Sequence, residues 1–343
     1  MPGCSVLGIG DKSRDQRAVA SDGESLWRRV MAMRSAVKRE MKTGEFSVIA
    51  SHFALYALPV LDVLKRVPHV VHFHGPWAGE SAAEGSGRLS VAAKRFVEKR
   101  VYATAGRAIV LSNAFKRILV DDYGVDEQKV VVIPGGIDVP TKTMPDRRES
   151  RERLGWPTDR PIVFCVRRLA RRMGIDVLID AISIVKRSHP DVLVMIAGKG
   201  QQQSELQSKI DAASLADHVR LLGFVPDDEL PIAYAAADLS VVPSQSLEGF
   251  GLVTIESLVQ GTPVLVTPVG GLPEVVEGLD PLLILESSRS DAIAGGISNV
   301  LSNLSSLPTR EACRAYAVEH FAWPTIAGRV ARVYEQAIED RAP

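Results

Sequence analysis

Cysteine is scarce in this chain: Cys4, Cys165 and Cys313 are the only three in 343 residues, far apart and without metal-type spacing. That excludes a disulfide scaffold and fits a reducing, cytoplasmic compartment. Net charge is absent as well, with 41 Lys+Arg against 41 Asp+Glu, so no global field points to nucleic acid. No apolar run approaches the length that spans a bilayer. The opening, MPGCSVLGIGDKSRD, has no basic stretch leading into a long apolar run, so no secretory leader is expected. Low-complexity tracts and internal repeats are missing too. What is present is a globular composition, 46% hydrophobic and 24% charged, in a chain long enough to imply two domains.

The neutral total hides an asymmetry. Residues 1–143 carry 21 basic and 15 acidic side chains, and the remainder 20 and 26. A basic first half favours an anionic partner such as a membrane face, and scatter accounts for it equally well. The helical stretch RLSVAAKRFVEKRV, residues 88–101, sets basic side chains beside Leu89, Phe96 and Val97. It reads either as a membrane-surface helix or as an ordinary surface helix with snorkelling cations.

Short β-branched runs alternate with amphipathic helical stretches. FSVIA, HVVHF, RAIVLS and KVVVIP form a first series, and PIVFCV, VLVMIA, VRLLG, LSVVP and TPVLVT a second. Their continuous apolarity is that of parallel strands covered on both faces, which implies doubly wound α/β sheets. Between the series, residues 140–160 (PTKTMPDRRESRERLGWPTDR) are rich in proline and charge and read as a linker. The N-terminus departs from this order: CSVLGIG is a weak strand, a basic helix is expected around Trp27–Lys42, and no strong opening βα unit is apparent.

The residues with chemical potential follow the strands. PIVFCV runs into Arg167, Arg168, Arg171 and Arg172, whose guanidinium groups suit a diphosphate or make a solvated basic loop. VLVMIA is followed by the turn Gly198-Lys199-Gly200, and TPVLVT by Gly270-Gly271-Leu272-Pro273-Glu274. LSVVP leads into EGFGLVTIE, with Glu248 in a loop and Glu256 about one turn inside a helix starting near Gly251 or Leu252. Unpaired N–H groups at that helix start lie between the two acids, an arrangement suited to a polyhydroxylated anionic ligand such as a nucleotide sugar. A capped helix with two solvated acids fits the spacing as well. In HVVHFHGPW, His72 and His74 fall on one face of a strand. No third ligand stands at a recognisable spacing, so a sugar contact or core packing is preferred over a metal.

LSVVPSQSLEGFGLVTIESLVQGTPVLVTPVGGLPEVV resembles the signature of the retaining GT-B glycosyltransferases called family 4, or glycosyl transferases group 1. LSNAFKRILVDDYGVDEQKVVVIPGGID and FAWPTIAGRVARVYEQAI are similar to other parts of the family, so the resemblance spans roughly residues 46–340. It implies an α/β fold of two doubly wound Rossmann-like domains facing a cleft. Residues 1–145 would form the acceptor-side domain, 146–322 the nucleotide-sugar domain, and 323–343 a helix crossing back to the first. It implies retaining, metal-independent transfer of a sugar from a nucleotide-sugar donor to a glycan or lipid-linked acceptor hydroxyl, as in polysaccharide biosynthesis. No cofactor, metal or nucleic acid is expected; peripheral contact with the inner face of the membrane stands as one of the two readings of the 88–101 helix.

By the same resemblance, Glu256 would hold the donor ribose and Glu248 the donor sugar. The N–H groups of Phe250, Gly251 and Leu252, beside Gly249, would hold the sugar or diphosphate. Arg168 would bind phosphate, His74 would stand near the transferring sugar, Gly198 would let the main chain approach the ligand, and Gly223, Phe224 and Val225 would lie against the base. The chain departs from the pattern in three ways. It has Arg167 where the family usually has glycine, and Met173 in place of a phosphate-binding lysine, with Arg172 or Arg171 as substitutes. It also lacks the usual opening strand with its Gly-Gly turn. A nucleotide-binding protein without turnover, and an epimerase or hydrolase on the same fold, are the rival readings.

Overall fold

The computed structural model describes residues 6–9, 17–21, 23–44, 46–141 and 145–341; Cys4 lies outside them. The chain divides into two compact units, one of residues 1–111, 115–133 and 328–343, the other of residues 112–114 and 134–327.

In the first unit, β1 (Leu7–Ile9) and β2 (Arg17–Ala20) pair in parallel as a separate two-stranded sheet. The weak opening run thus contains a strand, and α1 (Leu26–Thr43) follows where a basic helix is expected. The main sheet is β3 (Ile49–Ser51), β4 (His69–Phe73), β5 (Arg107–Val110) and β6 (Val130–Val132), in that order and all parallel. Its core gathers Leu64, Val71, Phe73, Phe115 and Leu119. From Gly328 onward the C-terminal helix, Trp323–Glu339, belongs to this unit. There Arg329 donates to the Val132 carbonyl at 2.9 Å, and the Tyr334 hydroxyl lies 2.7 Å from His72 Nε2.

One buried acid organises the segment after β4. Glu98, on α3 (Arg88–Tyr102), has no accessible surface. Its carboxylate accepts the first two N–H groups of α2 (Trp77–Ala83), from Trp77 at 2.7 Å and Ala78 at 3.1 Å. It also accepts the Tyr123 hydroxyl at 2.8 Å and the Tyr102 hydroxyl at 3.4 Å. An anion at a helix N-terminus satisfies donors that have no intrahelical partner. The turn His74–Trp77 is thereby pinned to α3.

The second unit is a five-stranded parallel sheet in the order β11-β10-β7-β8-β9. The strands are β7 (Ile162–Val166), β8 (Leu193–Ala197), β9 (Val219–Gly223), β10 (Leu239–Val242) and β11 (Val264–Val266). Alternation explains the unbroken apolarity of β7 and β8. On β7, Val163 and Cys165 enter one core cluster while Ile162 and Phe164 enter the other. On β8, Val194 and Ile196 face the first while Leu193 and Met195 face the second. Each such side chain contributes on the order of 1.5–3 kcal/mol by burial. Because all five strands run the same way, the turns after β7, β8, β10 and β11 emerge at one edge of the sheet.

Replacing Glu98 with alanine strands two buried hydroxyls and two backbone N–H groups. Glu98→Ala is expected to cost about 3 kcal/mol or more, read from urea denaturation followed by tyrosine fluorescence. A loss below about 1 kcal/mol would remove Glu98 as the organiser of this segment.

Candidate functional site

In the second unit the site grows from the turns at the sheet edge. The helix α5 (Leu252–Val259) follows α4 (Leu230–Ala236) in the chain and begins at Gly251, whose φ of 79° is left-handed. A Cβ there would come within 2.4 Å of Leu272 Cδ2. Glu248 lies in the entering loop and Glu256 on the second turn of α5, as the spacing suggests. The glycines after β11 make room for the loop: a Cβ on Gly270 would fall 1.8 Å from the Glu248 carbonyl oxygen, which accepts the Gly271 N–H at 2.9 Å.

Neither acid is a solvated surface carboxylate. Glu248 Oε2 meets Arg167 Nη2 at 2.8 Å, with side-chain exposures of only 12% and 7%. Ser244 Oγ accepts from Arg167 Nη2 at 2.9 Å and donates to Glu248 Oε2 at 3.0 Å. Glu256 Oε2 accepts the hydroxyl of Tyr234, on α4, at 3.1 Å. Burial raises the Glu256 carboxyl above its ordinary range, against the Tyr234 hydrogen bond and the Arg167 charge, which lower it. Burial likewise pushes the Tyr234 phenol well up, helped by the neighbouring carboxylate.

Strand parity separates the paired arginines. Arg167 continues the buried face of β7 and is 8% exposed, whereas Arg168 is exposed. Arg172 donates from Nη1 to the Leu247 carbonyl at 3.2 Å, bracing a loop in which Leu247 has a φ of 51°. Met173 turns into the core, and Arg171 is exposed. Gly198 takes a φ of 140°, and a Cβ there would lie 1.8 Å from the Arg167 carbonyl oxygen. Gly223 takes a φ of 70° at the end of β9 and leads to Phe224, 63% exposed, with Lys199 Nζ 5.4 Å from its ring centre. Val225 packs on the core, Gly249 and Phe250 are buried, and Leu252 is 49% exposed.

His74 lies in the first unit, on a cavity of about 130 Å³ lined also by His52, Phe53, His72, Trp77 and Glu80. His72 does not pack into the core; it faces the same cavity. His52 Nδ1 is 2.9 Å from His74 Nε2, and the His52 ring stacks on His72 with centroids 4.2 Å apart. Enclosure lowers the pKa of all three imidazoles, to about 3 at His72 and about 4 at His74. Solvent reaches His52 and His74, and His72 is the most enclosed of the three. With one nitrogen of each ring already engaged, the trio does not converge on a centre. Among the described residues no group of three His, Cys, Asp or Glu is placed to hold a metal ion.

The structure therefore brings Glu248, Glu256, Arg172 and the start of α5 into one unit and puts His74 in the other. The sequence places Arg167 among four arginines suited to a diphosphate, whereas the structure pairs it with Glu248; for Tyr234 and His52 the sequence offers no site role. Parity past the end of β7 carries a signal for Arg167. Tyr234 and His52 have none, because their partners are distant in sequence.

Comparison with known proteins agrees with this picture. Residues 146–320 match the family model of glycosyl transferases group 1, and residues 11–140 that of glycosyltransferase family 4. A D-inositol 3-phosphate glycosyltransferase of Kineococcus radiotolerans is 32% identical over 80% of this chain and 68% of its own length. Sucrose-phosphate synthase of Thermosynechococcus elongatus has a similar fold, with a TM-score of 0.76 at 24% identity over 93% of this chain and 80% of its own. Anabaena HepE, solved with UDP and glucose, gives 0.77 at 23% identity over 94% and 86%. These likenesses show the GT-B fold with its two Rossmann-like domains.

Because burial favours the protonated Glu256, that acid supports the fold below its unfolded pKa and this contribution is lost as pH rises through its raised folded pKa. Glu256→Gln keeps an acceptor for Tyr234 and is expected to raise Tm at pH 7, with the gain vanishing near pH 4. Equal melting temperatures at pH 7 would contradict a raised pKa.

Proposed function

The chain belongs to the glycosyl transferases group 1, and on that premise we propose that it moves a sugar from a nucleoside-diphosphate donor to an acceptor hydroxyl with retention and without a metal. The observation that carries this reading is the pair Glu248 and Glu256 bracketing the start of α5, which carries no side-chain N-cap bond, with arginines beyond β7. In this reading Glu256 accepts two hydrogen bonds from the ribose hydroxyls, and Glu248 accepts one from the sugar through its remaining oxygen. The N–H groups of Phe250, Gly251 and Leu252 meet the diphosphate or sugar, and the face of Phe224 lies under the base.

Charge develops on the leaving diphosphate. Arg168 and Arg172 neutralise it together with the helix N-terminus, the part a divalent cation plays elsewhere. Arg172 supplies the cation that Met173, turned into the core, does not. Retention commonly needs a carboxylate nucleophile. Glu248 Oε2 is already taken by Arg167 and Ser244, which supports front-face attack by the acceptor through an oxocarbenium-like state, with His74 beside the transferring sugar.

The acceptor is a glycan or a lipid-linked intermediate. No described helix is long and apolar enough to cross a membrane. A peripheral contact at the inner membrane face fits α3, where Leu89 is 89% and Phe96 58% exposed among Arg88, Arg95, Lys99 and Arg100. The buried free thiols of Cys165 and Cys313 suit a cytoplasmic setting.

Calorimetry against UDP, GDP, ADP and their sugars tests the donor side. One nucleotide should bind saturably, and Glu256→Ala should weaken it on the order of 100-fold, about 2.7 kcal/mol. Arg172→Met should weaken the diphosphate about tenfold and spare the nucleoside. Transfer should persist in EDTA and give the donor's anomeric configuration by proton NMR. A folded chain that binds no nucleotide would sink the assignment, and binding without transfer would favour a non-catalytic binder.

A further inference from the structure

The two acids of the site pose an electrostatic problem. Both are largely withdrawn from water, one raised in pKa by burial, and each offers both oxygens as acceptors to the hydroxyls of a nucleotide sugar only when ionised. A carboxylate in that setting needs a compensating cation. We propose that Arg167 is the counterion shared by Glu248 and Glu256, and a positioning residue that holds Glu248 for the donor sugar. The inference rests on the donor reading given above.

The geometry is specific. The Arg167 backbone N–H donates to the Ala197 carbonyl at 2.9 Å, extending the β7–β8 pairing by one residue and anchoring the stem. Gly198, by lacking a Cβ, lets the Arg167 carbonyl approach. From that anchor the side chain reaches Glu248 and Ser244 with the same Nη2. The ion pair from Arg167 and the hydrogen bond from Ser244 both fall on Oε2 of the carboxylate. Oε1 is thereby oriented as the acceptor offered to a hydroxyl. Arg167 is more than nine-tenths buried and its Nε has no hydrogen-bond partner in the protein, so the guanidinium is committed to the interior of this pocket.

The same charge acts on Glu256. The groups that face it are Tyr234 on α4, which donates a hydrogen bond, Arg167 after β7, which favours the carboxylate, and Asp227 after β9, which disfavours it. Tyr234 is a neutral donor, so Arg167 is the cation among them. Loss of Arg167 therefore does two things at once. It frees Glu248 to rotate, and it raises the pH at which Glu256 takes up a proton.

The test compares Arg167→Met and Arg167→Lys with the wild-type full chain, by calorimetry with UDP against UDP-glucose and GDP against GDP-mannose. At pH 7.5 Arg167→Met should bind the nucleoside diphosphate within about threefold of wild type and lose about tenfold or more toward the nucleotide sugar. Arg167→Lys should recover part of that loss, because it keeps the charge without the fork. Glu248→Gln should show the same sugar-specific loss. As pH falls from 8 to 5, half-loss of diphosphate binding should occur at higher pH in Arg167→Met, by about half a unit or more.

Equal losses for diphosphate and nucleotide sugar with an unmoved acid limb would overturn the proposal and leave Arg167 a packing residue. Unchanged binding would overturn it too. If Arg167→Met fails to fold, by its melting curve, Arg167→Lys and Glu248→Gln decide: a sugar-specific loss in both sustains the proposal, and its absence in either refutes it. Wild type binding no nucleotide would instead refute the donor reading on which the proposal stands.

Discussion

Two partly buried carboxylates beside a helix start are the constraint around which the second unit is built. Water would solvate them cheaply, and the protein has to replace that solvation with fixed partners. Arg167 and Ser244 do so for Glu248, and the Tyr234 hydroxyl does so for Glu256. The glycines follow from the same requirement. Gly270 leaves space for the Glu248 carbonyl, and Gly251 allows the chain to enter α5 in a left-handed conformation. Stability is sacrificed locally at Glu256, whose charged form burial disfavours. Functional sites commonly carry such a penalty.

The first unit uses the same physics for another purpose. Glu98 is wholly buried and spends its oxygens on two backbone N–H groups and two tyrosine hydroxyls. It holds the turn that carries His74. Enclosure and the neighbouring imidazoles favour the uncharged form of His72 most, and the same surroundings lower the pKa of His52 and His74. Each unit thus places polar groups at the carboxyl ends of parallel strands and fixes them by packing. In the second unit the fixing group is a cation, and around His74 it is a stack of imidazole rings.

Legibility followed the range of the interactions. The strands of both sheets were readable because their two covered faces force continuous apolar runs, and the cores of β7 and β8 confirm the cause by their alternation. The start of α5 and the depths of Glu248 and Glu256 were readable because the stretch is local and glycine marks its entry. The strand expected at FSVIA starts only at Ile49 and includes Ser51, since neither Phe46 nor Ser47 pairs with β4. The opening strands β1 and β2 were nearly invisible, being three and four residues long with partial burial. In a sheet so small, no continuous apolar run is required.

The sequence by itself determined the α/β class, the parallel sheets and the loop that carries two acids into a helix, because these depend on periodicity and on residues near one another in the chain. The tertiary structure alone decided that Arg167 meets Glu248, that Tyr234 is the partner of Glu256, and that His52 joins His74. Those pairings span 81, 22 and 22 residues (248 − 167, 256 − 234 and 74 − 52). Separations of that kind leave no periodic trace. They are created when the strands pair and their ends are brought to a common edge.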